Sequence, residues 1–268
     1  MKTVVITGAR GFLGTWLVKK LLKFKKYNLY LLLEDLCNPS LTMPHADVVI
    51  HLAAKHPSYS GDLFQANLEA TKTLARLCSV NTHFVFLSTD HVFGGGEQKK
   101  YVETDVKKSI NDYGKSKSLA EDYLFENIEK LTVLRTSLLY GYTHPTRKNF
   151  INFLTKKLSD GKKVEVFSDI YCRPTHVEDL SNFIVEVIEK NIYGVYHACS
   201  DDYVNRVELA NIFCESNELD KNLIDPVVSP PNGFWVPHLN LNPSKIFLET
   251  AKVLLEDGLK YIKGKGND

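Results

Sequence analysis

A tyrosine and a lysine separated by three residues, Tyr113 and Lys117 in the run YGKSK, are the pair in this chain best suited to moving a proton. On a helix that spacing stacks both side chains on one face. A lysine ammonium there favours the phenolate, so the tyrosine could release or accept a proton near neutral pH. Standing alone, the same pattern also describes a solvated helix face. Ser88, Thr89 and Asp90 close the apolar run HFVFLSTD. A hydroxyl at such a strand end can donate to a carbonyl while a tyrosine protonates it. The plainer reading is a Ser/Thr turn that closes the strand.

Gly8, Gly11 and Gly14 form G-x-x-G-x-x-G directly after TVVIT and at the start of an amphipathic run. Glycines permit a tight turn and close approach of a pyrophosphate, and the following helix offers free N–H groups and a positive dipole end. The turn, with Phe12 and Leu13 opening the helix, is therefore assigned to a nicotinamide dinucleotide. Arg10 inside it could grip a 2′-phosphate, favouring NADP(H). Glu34, 20 residues after Gly14, could hold a ribose 2′-hydroxyl, favouring NAD(H). Alternatively Glu34, Asp35 and Leu36 belong to a segment beside the adenine. The lean is slightly to NADP(H). In HLAA, the small Ala53 and Ala54 after Leu52 let the backbone lie under the cofactor, or simply pack. Asn67 is either a helix surface residue or a brace below the strand ends.

These residues need a scaffold, and the hydrophobic pattern supplies one. Strands are predicted over 3–8, 28–33, 47–54, 83–90 and 130–141, alternating with helices over 12–24, 64–80 and 113–127. Near-continuous apolar strands separated by helices indicate a parallel sheet covered on both faces, the doubly wound α/β layout, with about seven strands. Further on, helices are predicted over 150–161, 177–191 and 206–217, with short strands at KVEVFSD and GVYHACS. The stretch 226–246 holds five prolines and reads as a loop over the site, followed by a closing helix from NPSKI to 262. Residues 1–145 are expected to form a dinucleotide-binding Rossmann core. Residues 146–268 are expected to be mainly a small C-terminal substrate-binding lobe, with segments around 164–200 returning to the core.

Composition narrows the function classes. The chain has 268 residues, 44% of them hydrophobic, with Lys+Arg 33 against Asp+Glu 32. That balance argues against nucleic acid as a partner. Cys37, Cys78, Cys172, Cys199 and Cys214 are scattered without C-x-x-C spacing, which argues against a zinc site or a disulfide framework. The first residues already read as a strand, and no apolar run reaches the ~18 residues needed to span a bilayer. A cytoplasmic protein away from membranes is expected.

Together these residues resemble the extended short-chain dehydrogenase/reductase family. TGARGFLG is similar to its T-G-x-x-G-x-x-G turn. STDHVFGGG, YVETD and YGKSKSLAED resemble the dTDP-4-dehydrorhamnose reductase branch, as do CRPTHVEDLS and LNPSKI. The resemblance implies that Thr89 orients a carbonyl, that Tyr113 donates the proton, and that Lys117 lowers its pKa and holds the nicotinamide ribose. It implies NAD(P)H-dependent reduction of a nucleotide-diphosphate 4-keto-6-deoxy sugar, and a homodimer through the face opposite the cleft. Two other functions fit the same motifs: a sugar-nucleotide epimerase, and a non-catalytic NADP-binding subunit similar to the regulatory subunit of methionine adenosyltransferase. The chain departs from the branch at His91, where a tyrosine usually follows S-T-D, at Val236-Pro237 in place of an arginine-proline, and in a shortened segment between the second and fourth strands.

Overall fold

The computed structural model describes residues 1–57, 60–96, 99–141, 149–231 and 234–260. The chain begins with β1 (Lys2–Thr7), α1 (Phe12–Lys23), β2 (Tyr27–Leu32) and β3 (Val48–His51). A π-helical turn at Gln65–Glu69 continues as α2 (Ala70–Arg76), followed by β4 (His83–Thr89), α3 (Asp112–Asn127) and β5 (Leu131–Thr136). Then come β6 (Leu139–Tyr140), α4 (Phe150–Ser159), β7 (Val164–Phe167), β8 (Tyr171–Cys172), β9 (Thr175–His176), α5 (Val177–Lys190) and β10 (Gly194–His197). The last elements are β11 (Val204–Asn205), α6 (Arg206–Ser216), β12 (Ile224–Val227), α7 (Lys245–Thr250) and α8 (Leu255–Leu259).

Six strands form a parallel sheet in the order β10-β5-β4-β3-β1-β2. From β1 the chain first moves outward to β2, then crosses to β3 on the other side. The direction of winding therefore reverses between β1 and β3, where doubly wound sheets leave a crevice at their strand C-termini. Successive strand residues face opposite sides. Val4 and Ile6 pack with Leu17, Leu21, Phe183 and Ile184 under α1 and α5. Val5 and Val49 pack with Leu74, Phe84, Phe86 and Leu124 under α2 and α3. Covering both faces explains why these strands lack polar alternation.

Four predicted elements differ from the structure. The sheet has six strands among the described residues, one fewer than the seven expected, because β7 pairs with β12 instead of joining it. The strand predicted over 130–141 divides: β5 stays in the sheet, while β6 turns away to pair with β9. The helix predicted over 64–80 ends as α2 at Arg76, where Leu77 and Cys78 donate to Leu74 and Ala75 and tighten the last turn. The closing helix is broken into α7 and α8, because Asp179 accepts the Lys252 and Val253 amides at 2.9 and 3.2 Å. Those N–H groups are then unavailable to the helix. Residues 232–233 of the proline-rich loop and 261–262 of the closing segment lie outside the described residues.

A separate cluster beyond the sheet joins Leu154, Leu158, Leu209, Phe213, Ile224 and Leu259. Of the 164–200 stretch, α5 and β10 pack with the sheet, whereas β7 lies with this cluster. Two motifs far apart in the chain meet. Asn242 donates to the Tyr101 carbonyl at 2.7 Å, and Tyr101 to that of Asn240 at 2.8 Å. The Ser244 hydroxyl donates to Glu103. YVETD and LNPSKI are thus two halves of one contact.

Candidate active site

The glycine turn closes directly on the neighbouring strand end. Gly8 has φ +67, and a Cβ there would stand 2.6 Å from the Ala53 amide nitrogen. At Gly14 a Cβ would stand 2.2 Å from the Gly8 carbonyl oxygen. Gly11 differs, since its Cβ would meet only that oxygen, at 3.0 Å. Gly8 and Gly14 are thus required by the fold, while Gly11 leaves open the space in front of α1. Gly11 is the N-cap of α1, no side chain caps it, and no acidic residue stands in the first turn. The leading N–H groups of such a helix are available to an anion. Leu13 is buried in the core and Phe12 packs against it, so their side chains are structural and only their backbone faces the turn. Arg10 is exposed beside them.

A cleft of about 410 Å³ lies beside the β2 and β3 ends, lined by Glu34, Asp35, Leu36, Ala53, Ala54 and Lys55 among others. The structure thus brings the 34–36 and 53–54 segments together at one end of the glycine turn, while Leu52 packs against the core. Glu34 turns back to accept the Leu33 amide at 2.9 Å, and Asp35 accepts that of Cys37 at 3.0 Å. The space that a Cβ at Gly11 would enter, with this cleft at the end of the same turn, suits a dinucleotide.

Below the cleft runs a chain of neutral groups that the sequence reading overlooked. Thr7 Oγ1 meets His51 Nδ1 at 2.7 Å, and His51 Nε2 meets Thr71 Oγ1 at 2.9 Å. Burial lowers the His51 pKa to about 3, with Lys117 adding to the shift. Asn67 proves to be a brace: it accepts the Lys55 amide at 2.7 Å and donates to the Ser116 hydroxyl at 3.1 Å. It ties the segment after β3 to α3.

Tyr113 and Lys117 both point inward from α3. The helix begins at Asn111, whose Oδ1 accepts the Gly114 amide at 2.8 Å. Of Ser88, Thr89 and Asp90, the last two act on the Tyr113 phenol, Asp90 favouring the neutral form and Thr89 the phenolate. Ser88 instead donates to Glu121, a buried carboxylate paired with Arg135 at 2.8 Å and Lys107 at 3.3 Å. Thr89 Oγ1 also donates to Asp90 at 3.0 Å and accepts the His91 amide at 3.2 Å. His56 and His91 flank the phenol, with ring centroids 5.7 and 5.8 Å from that of Tyr113, and Phe234 packs on both histidines.

The charge relation expected between tyrosine and lysine is corrected by the structure. Burial, reinforced by Asp90, raises the Tyr113 pKa to about 12, against the Thr89 hydrogen bond. The phenol is therefore held as an acid, because desolvation and the neighbouring Asp90 both disfavour a phenolate, and Lys117 is not among the groups that act on it. Burial lowers Lys117 to about 7, with Glu121 pulling upward. The lysine is 2% exposed, and its Nζ lies 3.8 Å from the Phe86 ring centroid. His56, Asn111, Glu121 and Phe234 escaped the sequence reading. Glu121 had a signal, standing four residues after Lys117 in SLAED; Phe234 sits in the proline-rich loop expected over the site.

A Rossmann-type α/β sheet, with a glycine turn at its switch point and a hydroxyl pair at its strand ends, defines the class of protein. The profile of the RmlD substrate binding domain family matches residues 1–234, and the chain belongs to that family. It is 29% identical over 242 residues to a dTDP-4-dehydrorhamnose reductase from Mycobacterium tuberculosis, covering 84% of this chain and 79% of that one. It is 25% identical over 277 residues to the methionine adenosyltransferase 2 subunit beta of Xenopus laevis, covering 89% and 80%. Among solved structures, dTDP-4-dehydrorhamnose reductase from Bacillus anthracis in complex with NADP superposes with a TM-score of 0.82 at 25% identity, covering 97% and 98%. No helix among the described residues is long and apolar enough to cross a membrane.

Proposed function

We propose that this chain is an NAD(P)H-dependent reductase of a nucleotide-diphosphate 4-keto-6-deoxy sugar, with NADP(H) as the favoured cofactor. The observation that carries the reading is the Tyr113 phenol, half-buried between His56 and His91 and held as an acid beside Thr89 at the end of β4. Support comes from the reductase relatives, one of them solved with NADP. A bound nicotinamide would supply hydride to the sugar ketone. The ketone oxygen then gains negative charge, and Tyr113 delivers the proton that neutralises it. Thr89 orients the oxygen by turning its hydroxyl from Asp90 to the substrate. Lys117, with a pKa near neutrality, returns the proton to the phenol and holds the nicotinamide ribose. Gly8, Gly11, Gly14 and the α1 N-terminus receive the pyrophosphate, and Arg10 reaches for a 2′-phosphate.

NADPH oxidation by the purified protein, measured against a panel of 4-keto-6-deoxy sugar nucleotides, tests the reading. Oxidation with at least one of them is expected. The second reading, an NADP-binding regulatory subunit, is favoured by the likeness to methionine adenosyltransferase 2 subunit beta. NADPH binding without oxidation across the panel would select it. A homodimer belongs to the first reading, and light scattering at micromolar concentration should give twice the chain mass.

A further inference from the structure

The residue after the strand-end hydroxyls, His91, stands beside Tyr113 and is held from behind by the cap of α3. Asn111 Nδ2 lies 2.9 Å from His91 Nδ1 and 3.3 Å from the Phe234 carbonyl oxygen. Asn111 Oδ1 accepts the Gly114 amide. These contacts fix the amide's orientation. A backbone N–H can only donate, so the atom facing Gly114 must be the amide oxygen. The atom facing His91 is then the NH₂ group, which also can only donate; the Phe234 carbonyl, which only accepts, agrees. His91 Nδ1 must therefore be an acceptor, and a neutral imidazole that accepts at Nδ1 carries its hydrogen on Nε2. Among the described residues no hydrogen bond engages Nε2, and it is not among the polar atoms sealed from solvent without a partner.

We propose that Asn111 locks His91 as the neutral Nε2–H tautomer, and that this N–H donates to an uncharged oxygen of the sugar beside the Tyr113 phenol. The second half rests on the sugar-nucleotide reading above. Phe234 lies nearly parallel to the His91 ring, with centroids 6.3 Å apart and an interplanar angle of 19°. Other groups facing the ring act on its charge. Burial comes first and favours the neutral form, Asp90 opposes it, and Arg206 from α6 supports it. His56 and Tyr113 complete the surroundings. A protonated imidazole would set two donors, Nδ1–H and the Asn111 amide, against each other. The device makes His91 a one-way donor, and its position makes it specificity-determining: a substrate offering a hydroxyl or ring oxygen there is retained, and one offering an alkyl group leaves the N–H unpaired.

The lock is read by nitrogen NMR of protein labelled with ¹⁵N-histidine, with His91 assigned by its loss in His91→Gln. Wild type at pH 7.5 should show His91 as Nε2–H. Asn111→Asp keeps the helix cap, since aspartate also accepts the Gly114 amide, but replaces the donor facing Nδ1 with an acceptor. His91 should then move its hydrogen to Nδ1 or become doubly protonated. An unchanged Nε2–H signal in Asn111→Asp overturns the lock. The donor role is read by kinetics. His91→Phe should raise the KM for the sugar nucleotide about 10-fold, the loss of one good hydrogen bond, while NADPH titration stays within about 2-fold and shows the variant to be folded. His91→Gln, which retains a donor, should fall between. An unchanged KM in His91→Phe overturns the donor role. A wild type that turns over no sugar nucleotide, yet shows Nε2–H, overturns the reductase reading and the sugar contact together and upholds the tautomer lock.

Discussion

A Cβ on Gly114 would stand 1.9 Å from the carbonyl oxygen of His91. The second residue of YGKSK is thus a glycine because the turn at Asp90–Val92 lies directly on the start of α3. That approach brings Tyr113 into reach of Thr89. Gly114→Ala must push the helix away from the turn and move the phenol with it. Displacement of a reacting group by about 1 Å costs ~10² in rate, and overpacking of this kind costs about 1–3 kcal/mol. Both losses are expected, by steady-state kinetics and by urea unfolding. A fully active, fully stable Gly114→Ala would contradict the contact.

The three glycines of the first turn should separate in the same way. Gly11→Val meets no obstacle in the fold beyond the Gly8 carbonyl, so the protein should fold with nearly the wild-type melting temperature. Its side chain would occupy the phosphate position, and NADPH binding should be abolished. Gly14→Val collides with Gly8 and Ala9 backbone and should fail to fold stably. Calorimetry with NADPH distinguishes the two. Unchanged affinity in Gly11→Val would remove the pyrophosphate assignment. NADPH binding no tighter than NADH would remove the role given to Arg10.

How far the sequence carried depended on how local the cause was. The β1–turn–α1 unit is local, since TVVIT, the glycines and the amphipathic run all act on adjacent residues. It appeared within a residue of its observed bounds. The same holds for α3, where Asn111 caps a helix already marked by its pattern. The closing helix broke because of Asp179, over seventy residues earlier in the chain, and no window of local propensity contains that partner. β7 reads as a strand in any context, but only its pairing with β12 places it outside the main sheet. At the site, residue types that do chemistry were visible, whereas His51, His56 and Asn111 matter through what they touch. The proton affinity of Tyr113 was misjudged for the same reason, since burial is a property of the assembled core.

Two buried histidines make stability depend on pH. His51 between two threonine hydroxyls has its pKa lowered to about 3 by burial, then Lys117. His83, on Thr132 at 2.7 Å, is lowered to about 4 by burial, then Lys2 and Lys130. The unfolded chain takes up protons at these rings near pH 6.5, but the folded chain does not until those lower values. Their contribution is therefore complete above about pH 6.5 and is lost progressively as pH falls towards 4 and 3. At pH 5 each ring should cost about 2 kcal/mol relative to pH 8. Urea midpoints at the two pH values measure this. Equal midpoints would mean that the rings are not held neutral. In His51→Gln the dependence should become shallower even though the protein is less stable throughout.

The decisive test of chemistry separates the phenol from the ammonium. Tyr113→Phe removes only the proton donor, since the ring still fills its place between His56 and His91. General acid catalysis is worth ~10²–10⁴ in rate, so turnover should fall by about that factor with NADPH affinity nearly intact. Lys117→Met keeps the apolar stem over Phe86 but deletes the charge, and both turnover and NADPH affinity should fall. Lys117 titrates near pH 7 because it is buried, and it is charged only below that value. If the ammonium holds the ribose, NADPH affinity in wild type should weaken as pH rises through 7, and the dependence should vanish in Lys117→Met. Titrations of both proteins between pH 6 and 8.5, together with kinetics on Tyr113→Phe, read all three effects. Full turnover in Tyr113→Phe would take the catalytic role away from the phenol and shift the reading to a cofactor-binding subunit.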